Sequence, residues 1–307
     1  IISNNVKDLA PPLKYQGYEL NKQTEIERDV INEVFIQQHI YLESIKNTGN
    51  PISPGLADYS YFNTEQSFII IDFLIEKAQK DEAKKVFKYL KEQIALNKNR
   101  EYYLSLITME NAQSYEQLHD VWVSTKFSLS LRRETCCVAI AQLLRLLLQF
   151  GIVHCDCHGG NILVKEKNQE MVMNTLDMLN VDVKIIDYGR YINIYDELNN
   201  DNSVISEKKK ANIKLIFYEK PGINIVNKLL VNYINYKNEE NEDEKNKLKD
   251  ILINAVKMCI HRILLTDLYY NINNFKHYGV QCSFLFKALK LVNIENEGQP
   301  NIKIQFY

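Results

Sequence analysis

Two side chains in the segment His154-Cys155-Asp156-Cys157-His158-Gly159-Gly160-Asn161 are of the types that phosphoryl transfer requires. Such transfer needs a carboxylate that takes or orients the proton of an acceptor hydroxyl. It also needs a neutral oxygen ligand that holds Mg²⁺ without adding another negative charge. Asp156 suits the first role, and Asn161, five positions on, suits the second. Gly159-Gly160 lets the backbone turn tightly between them. Short apolar runs, Ile152-Val153 and Ile162-Leu163-Val164, flank the loop. Thirty-one positions after Asp156 comes Ile185-Ile186-Asp187-Tyr188-Gly189, a buried strand ending on an acid. A carboxylate placed so can hold a metal that bridges nucleotide phosphates. Asp187 by itself would read as a strand-end turn residue, and the order and distance of the two elements give the pair its meaning.

Other residues of the loop admit plainer roles. His154 reads as a buried histidine that braces the loop. His158 is either structural or a group that helps hold the loop and the phosphates. Cys155-x-Cys157-His158 offers ligand types for zinc, but a structural zinc site wants a second ligand pair and none follows. Cys136 and Cys137 are neighbours in a helix and point apart.

Stepping outward, residues 133–150 are the most apolar long segment, with the length of a central core helix that ends at Gly151. Residues 24–45 carry apolar positions at near-helical spacing, and Thr24 with Glu27 fits a capping box. Gly49, Pro51, Pro54 and Gly55 break the chain. Residues 56–62 and 67–75 are β-branched and aromatic and are expected as strands. The segment 76–100 reads as an exposed amphipathic helix, 103–109 as a buried strand, and ENAQSYEQL as a polar helix start. From about 208 onward the pattern is helical, with the charged run 237–249 expected as a loop or insertion.

Composition narrows the class. The 307 residues are 46% hydrophobic, enough for a sizeable core, and the net charge of -2 offers no global basic field for nucleic acid. Six scattered cysteines are too few for a disulfide scaffold and point to a reducing compartment, expected to be cytoplasmic. No apolar run approaches a membrane span. The chain has neither a signal peptide nor an initiator Met, so it is expected to begin inside a longer protein.

HCDCHGGNILV followed by IIDYG resembles the catalytic and metal-binding loops of the protein-kinase-like superfamily. The form H-x-D-x-H-x-x-N is nearest to its atypical and small-molecule branches, such as the aminoglycoside and choline phosphotransferases. LITMENAQSYEQL looks like the last strand of an N-lobe and its hinge, with Met109 as gatekeeper and the backbone of Glu110 to Ala112 meeting the adenine. NEVFIQQHIY looks like the regulatory helix, with Glu33 as its ion-pairing acid. The run from Glu33 to the prolines also resembles divergent kinase-like proteins of giant DNA viruses, which would place the protein in host cytoplasm. The resemblance spans roughly residues 24–191. It implies an α+β, two-lobed fold: a truncated N-lobe at 1–113, and a mostly helical C-lobe at 114–307. It implies ATP and Mg²⁺ as cofactors, with catalytic residues Asp156, Asn161 and Asp187 and metal ligands Asn161 and Asp187. The acceptor is expected to be Ser/Thr of a protein, or alternatively a small alcohol. No membrane or nucleic-acid partner is expected. The chain departs from the family in having no glycine-rich phosphate loop, no convincing strand lysine and no Ala-Pro-Glu closing motif. The lysine is expected upstream of residue 1, and its true absence would instead mark a binding module without turnover.

Overall fold

The structure is a computed structural model that describes residues 2–4, 14–15, 18–19, 25–96, 102–112, 114–124, 126–154, 156–167, 179–189, 191–193, 222–270, 285 and 288. The chain divides into two compact units, Ile1–Gln38 with Gly55–Glu110 and His39–Pro54 with Asn111–Tyr307.

The first unit is built on short strands and helices. Its strands β1 (Ile2–Asn4), β2 (Lys14–Tyr15) and β3 (Tyr18–Glu19) precede the long helix α1 (Glu25–Thr48), which runs on into the second unit. Then come β4 (Leu56–Phe62), α2 (Thr64–Lys77), α3 (Asp81–Leu96) and β5 (Tyr102–Met109). Three strands form an antiparallel sheet in the order β1-β5-β4, with Leu56 opposite Met109 and Phe62 opposite Leu104, and β2 pairs separately with β3. The α2–α3 hairpin is inserted between β4 and β5 and packs Ile71 and Ile94 onto Leu104, with Phe62, Phe68 and Phe87 around them. Lys91 of α3 grips Asp72 of α2 at 2.5 Å.

Residues 67–75, expected as a strand, are helical. Asn63 starts α2 by accepting from Gln66 N–H at 3.0 Å, while Gln66 Oε1 accepts from Asn63 N–H at 3.1 Å, a complete capping box. Burial then falls on Ser67 and Ile71, one helical turn apart. The cap and the period outweigh the β propensity of the isoleucines. The expected capping Thr24 lies outside the described residues.

The second unit follows with β6 (Glu116–Gln117), α4 (Leu118–Val123), α5 (Leu129–Phe150), β7 (Ile152–Val153), β8 (Ile162–Glu166), β9 (Val181–Ile185), β10 (Ile192–Asn193), α6 (Gly222–Asn238) and α7 (Glu242–Tyr270). The polar segment expected to start a helix first forms β6, which pairs with β8, and only then α4. Sheet order is β6-β8-β9, and β10 pairs with β7. Helix α5 is the core: every residue from Arg133 to Leu147 is buried. Leu229 and Tyr233 of α6 and Leu252 and Val256 of α7 are buried alongside. Each fully buried Leu or Ile contributes about 1.5–3 kcal/mol relative to exposure. Ser128 caps the start of α5, and Gly151 ends it in the left-handed conformation at φ 65°, donating back to Leu147 O. That stop delivers the chain directly into β7 and the His154 loop.

The charged run 237–249 is mostly helix rather than loop. Only residues 239–241 are non-helical, because Asn241 accepts from the N–H groups of Asp243 and Glu244 and so starts α7. Three acids in the first turn favour the positive end of the helix.

Candidate active site

The loop 154–161 is tied by its own backbone. His158 N–H donates to Asp156 O at 3.0 Å, and Asn161 N–H donates to His158 O at 2.9 Å. Asn161 is buried, and its Nδ2 donates both to Asp156 O at 3.0 Å and to Asp187 Oδ2 at 3.3 Å. Ile186 N–H donates to Asn161 O at 3.0 Å. Asp156, Asn161 and Asp187 are thus brought together, with Asn161 as the hinge pin between the two motifs.

His154 completes the link. Its Nε2–H donates to Ile186 O at 2.9 Å, and its Nδ1 accepts from Asp156 N–H at 3.3 Å. One nitrogen must carry the proton and the other must not, so the neutral ring is the form that fits. Burial lowers its pKa, against the opposing pull of Ile186 O and of Asp187 and Asp156. The folded chain therefore resists a proton that the unfolded chain takes near pH 6.5. The stability contributed by the neutral ring is present above about pH 6.5 and lost as pH falls below it. Urea midpoints are expected to drop as pH falls below about 6.5, and less steeply in His154→Gln. Parallel pH curves for the two proteins would count against this role.

Asp187 is exposed and lies two residues past β9, at φ 66°. Among the described residues it is the one non-glycine with positive φ. An L-residue there costs about 1 kcal/mol, though Asp and Asn bear it better than most. Tyr188, 0% exposed, anchors the turn beside the His154 ring, with centroids 5.2 Å apart. Burial pushes its phenol well above the ordinary range. Further support comes from residues 49–53: Arg145 Nη2 donates to Asn50 O at 3.2 Å, and Ile185 N–H donates to Ile52 O at 2.7 Å.

The two glycines of the loop form the turn that their spacing suggested, closed by Asn161 N–H on His158 O, and close approach gives a further reason for glycine. Neither Gly159 nor Gly160 has positive φ. A Cβ on Gly159 would meet His119 N at 3.1 Å, and one on Gly160 would meet the His158 ring at 2.9 Å. Close approach, rather than a positive φ in the turn, favours glycine here. No local signal could show this for Gly159, because His119 lies forty positions upstream.

The expected hinge residues divide between the units. Met109, 41% exposed, ends β5, and Glu110 follows it in the first unit, where its N–H donates to Gly55 O at 2.7 Å and its Oε2 accepts from Gly55 N–H. Ala112 belongs to the second unit, and its carbonyl accepts from Tyr115 N–H at 2.9 Å. Tyr115 was not foreseen as an anchor. Its hydroxyl donates to Asp182 at 2.5 Å, and Lys165 and Lys184 flank its ring at 5.8 and 5.5 Å. Glu33 is half-buried on α1 in the first unit.

Among the described residues no three His, Cys, Asp or Glu side chains gather as a metal cage. The Asn161–Asp187 pair nevertheless fits Mg²⁺, which takes hard oxygens and needs only one or two from protein when phosphates supply others. To serve, Asn161 would offer its amide oxygen where its N–H now meets Asp187. The described cysteines suit neither metal nor redox work. Cys136, Cys137, Cys157 and Cys259 are buried thiols, with burial raising Cys137 and pushing Cys259 up to about 12. Cys155 and Cys282 lie outside the described residues.

The sequence family described as the ABC1 atypical kinase-like domain matches residues 71–206, a stretch that contains Asp156, Asn161 and Asp187. The match supports the resemblance of this stretch to the protein-kinase-like superfamily. The kinase-like fold accounts for its α+β make-up and implies nucleotide binding. Phosphotransfer is the activity class that this domain suggests. No curated protein matches the chain. Among the described residues no helix of this kinase-like protein is long and apolar enough to cross a membrane.

Proposed function

We propose that this protein transfers the γ-phosphoryl group of ATP to a hydroxyl, with Ser or Thr of a protein as the acceptor. The observation that carries the reading is the double hydrogen bond of Asn161 to Asp156 O and Asp187 Oδ2, which joins two motifs twenty-six positions apart. The Asp156 carboxylate receives the proton as the acceptor O–H bond breaks. The acceptor oxygen bonds to phosphorus, and the bond to the departing ADP oxygen breaks. Asn161 and Asp187 hold Mg²⁺. When bound, that ion neutralises charge on the phosphates. The resemblance assigns the backbone of Glu110 to Ala112 to the adenine, Met109 to the gatekeeper position and Glu33 to the ion-pairing acid of the regulatory helix. Positioning by fixed groups accounts for most of the acceleration, since this chemistry asks little covalent work of a protein. A small alcohol is the second acceptor reading, favoured by the loop form H-x-D-x-H-x-x-N.

The test is transfer of label from γ-labelled ATP by the full-length protein with Mg²⁺, offered protein and small-alcohol acceptors in parallel. Asp156→Asn is expected to lower turnover by about 10²–10⁴-fold, with ATP binding retained. Turnover equal to wild type would remove Asp156 from the mechanism. Absence of both transfer and Mg²⁺-dependent nucleotide binding would leave a kinase-shaped binding module.

A further inference from the structure

We propose that His158 is a catalytic residue whose Nε2–H donates a hydrogen bond to an oxygen of the phosphoryl group in transfer; this rests on the phosphotransferase reading above. The argument begins with Nδ1, which accepts the N–H of Gly160 at 3.1 Å. A ring nitrogen that accepts carries no proton, so the proton of the neutral ring sits on Nε2. The main chain of His158 is bound on both sides, its N–H to Asp156 O at 3.0 Å and its carbonyl to Asn161 N–H at 2.9 Å. The ring itself lies so close to the loop that a Cβ on Gly160 would stand 2.9 Å from Cε1 and 3.0 Å from Nδ1. His158 is therefore held in place within the segment that carries Asp156 and Asn161.

What remains is a fixed donor. Nε2–H meets no acceptor among the described residues, and His158 is only half-buried. With Nδ1 occupied, the ring can offer a substrate a donor and nothing else. The acceptor hydroxyl needs an acceptor of its proton, which Asp156 provides. The transferring phosphoryl oxygens are anionic and accept only, so they are the groups a positioned N–H matches.

The two ring nitrogens can be tested apart in the full chain with Mg·ATP. His158→Asn keeps an acceptor near Nδ1 for Gly160 and loses the far donor. His158→Gln places an amide donor near the Nε2 position and loses the near acceptor. Loss of the donor is expected to cut kcat by about a hundredfold in His158→Asn, with KM for ATP changed less than about threefold. His158→Gln is expected to recover most of the loss. Gly160→Ala, which pushes the ring aside, is expected to reproduce the His158→Asn defect, and the double variant to add little to it. If His158 only braces the loop, the order reverses: Asn retains turnover and Gln does not. That reversal, or equal activity in the two variants, overturns the proposal. Turnover that depends on Asp156 while His158→Asn matches wild type overturns this proposal alone. No turnover by the wild-type chain overturns it together with the phosphotransferase reading.

Discussion

Asp187→Asn is expected to leave the protein folded and to lower Mg²⁺-dependent phosphoryl transfer by at least about a thousandfold. Asn is the informative replacement because it shares the tolerance of Asp for the left-handed conformation that residue 187 adopts at φ 66°. It also preserves the size of the side chain that meets Asn161 Nδ2. Only the negative charge is removed, and a cation beside polyphosphate depends on that charge. Ala would add about 1 kcal/mol of backbone strain and confuse the two effects. Because Asp187 is exposed, the unfolding free energy of Asp187→Asn is expected to stay within about 0.5 kcal/mol of wild type. Paired unfolding curves and turnover measurements check both halves. Retained turnover would show that the metal is held elsewhere, while a large loss of stability would show that Asp187 matters for folding rather than charge.

Glu134→Ala is expected to destabilise the chain by about 3–5 kcal/mol, the usual cost of breaking a buried ion pair from one side. Glu134 is 1% exposed on α5. Its Oε2 accepts from Lys237 Nζ at 2.9 Å and from Tyr233 hydroxyl at 3.2 Å, and its Oε1 from Asn180 N–H. Truncation takes this acceptor from the partly exposed Lys237 ammonium and the Asn180 amide, while the Tyr233 hydroxyl keeps Ser130 O at 3.2 Å. Glu134→Gln keeps the shape and an acceptor, and its expected cost is smaller, about 1–3 kcal/mol. Denaturation by urea measures both, and an Ala variant within about 1 kcal/mol of wild type would contradict the account. The consequence for the site is indirect. Asn180 immediately precedes β9, and α5 leads into the His154 loop, so this one acid braces the approaches to both motifs. Activity is therefore expected to vanish with the unfolding transition and not before it.

The helices were legible where pattern and punctuation agreed. Residues 133–150 end at Gly151 as a helix should, and α5 stops there because a left-handed residue closes its last carbonyls. The isoleucines at 69–71 misled because β-branched runs suit either element, and the decision rested on Asn63 and Gln66 just before them. The charged run at 237–249 misled similarly: solvated composition does not distinguish a loop from an exposed helix, and Asn241 settles it.

By itself the sequence determined the identities and order of Asp156, Asn161 and Asp187, because their chemistry depends on residue type and on spacing along one chain. It also carried the resemblance to the protein-kinase-like superfamily, which the match over residues 71–206 supports. Only the tertiary structure decided which atoms meet: Asn161 Nδ2 on Asp187, His154 on Ile186 O, Glu134 on Lys237, and the ring of Tyr115 between two lysines. It decided too that His119 and His158 approach the turn at Gly159 and Gly160 closely enough to disfavour a Cβ there. The physical reason is common to all of them. A hydrogen bond or a steric limit between residues dozens of positions apart is set by packing, and packing leaves no periodic mark in the local sequence.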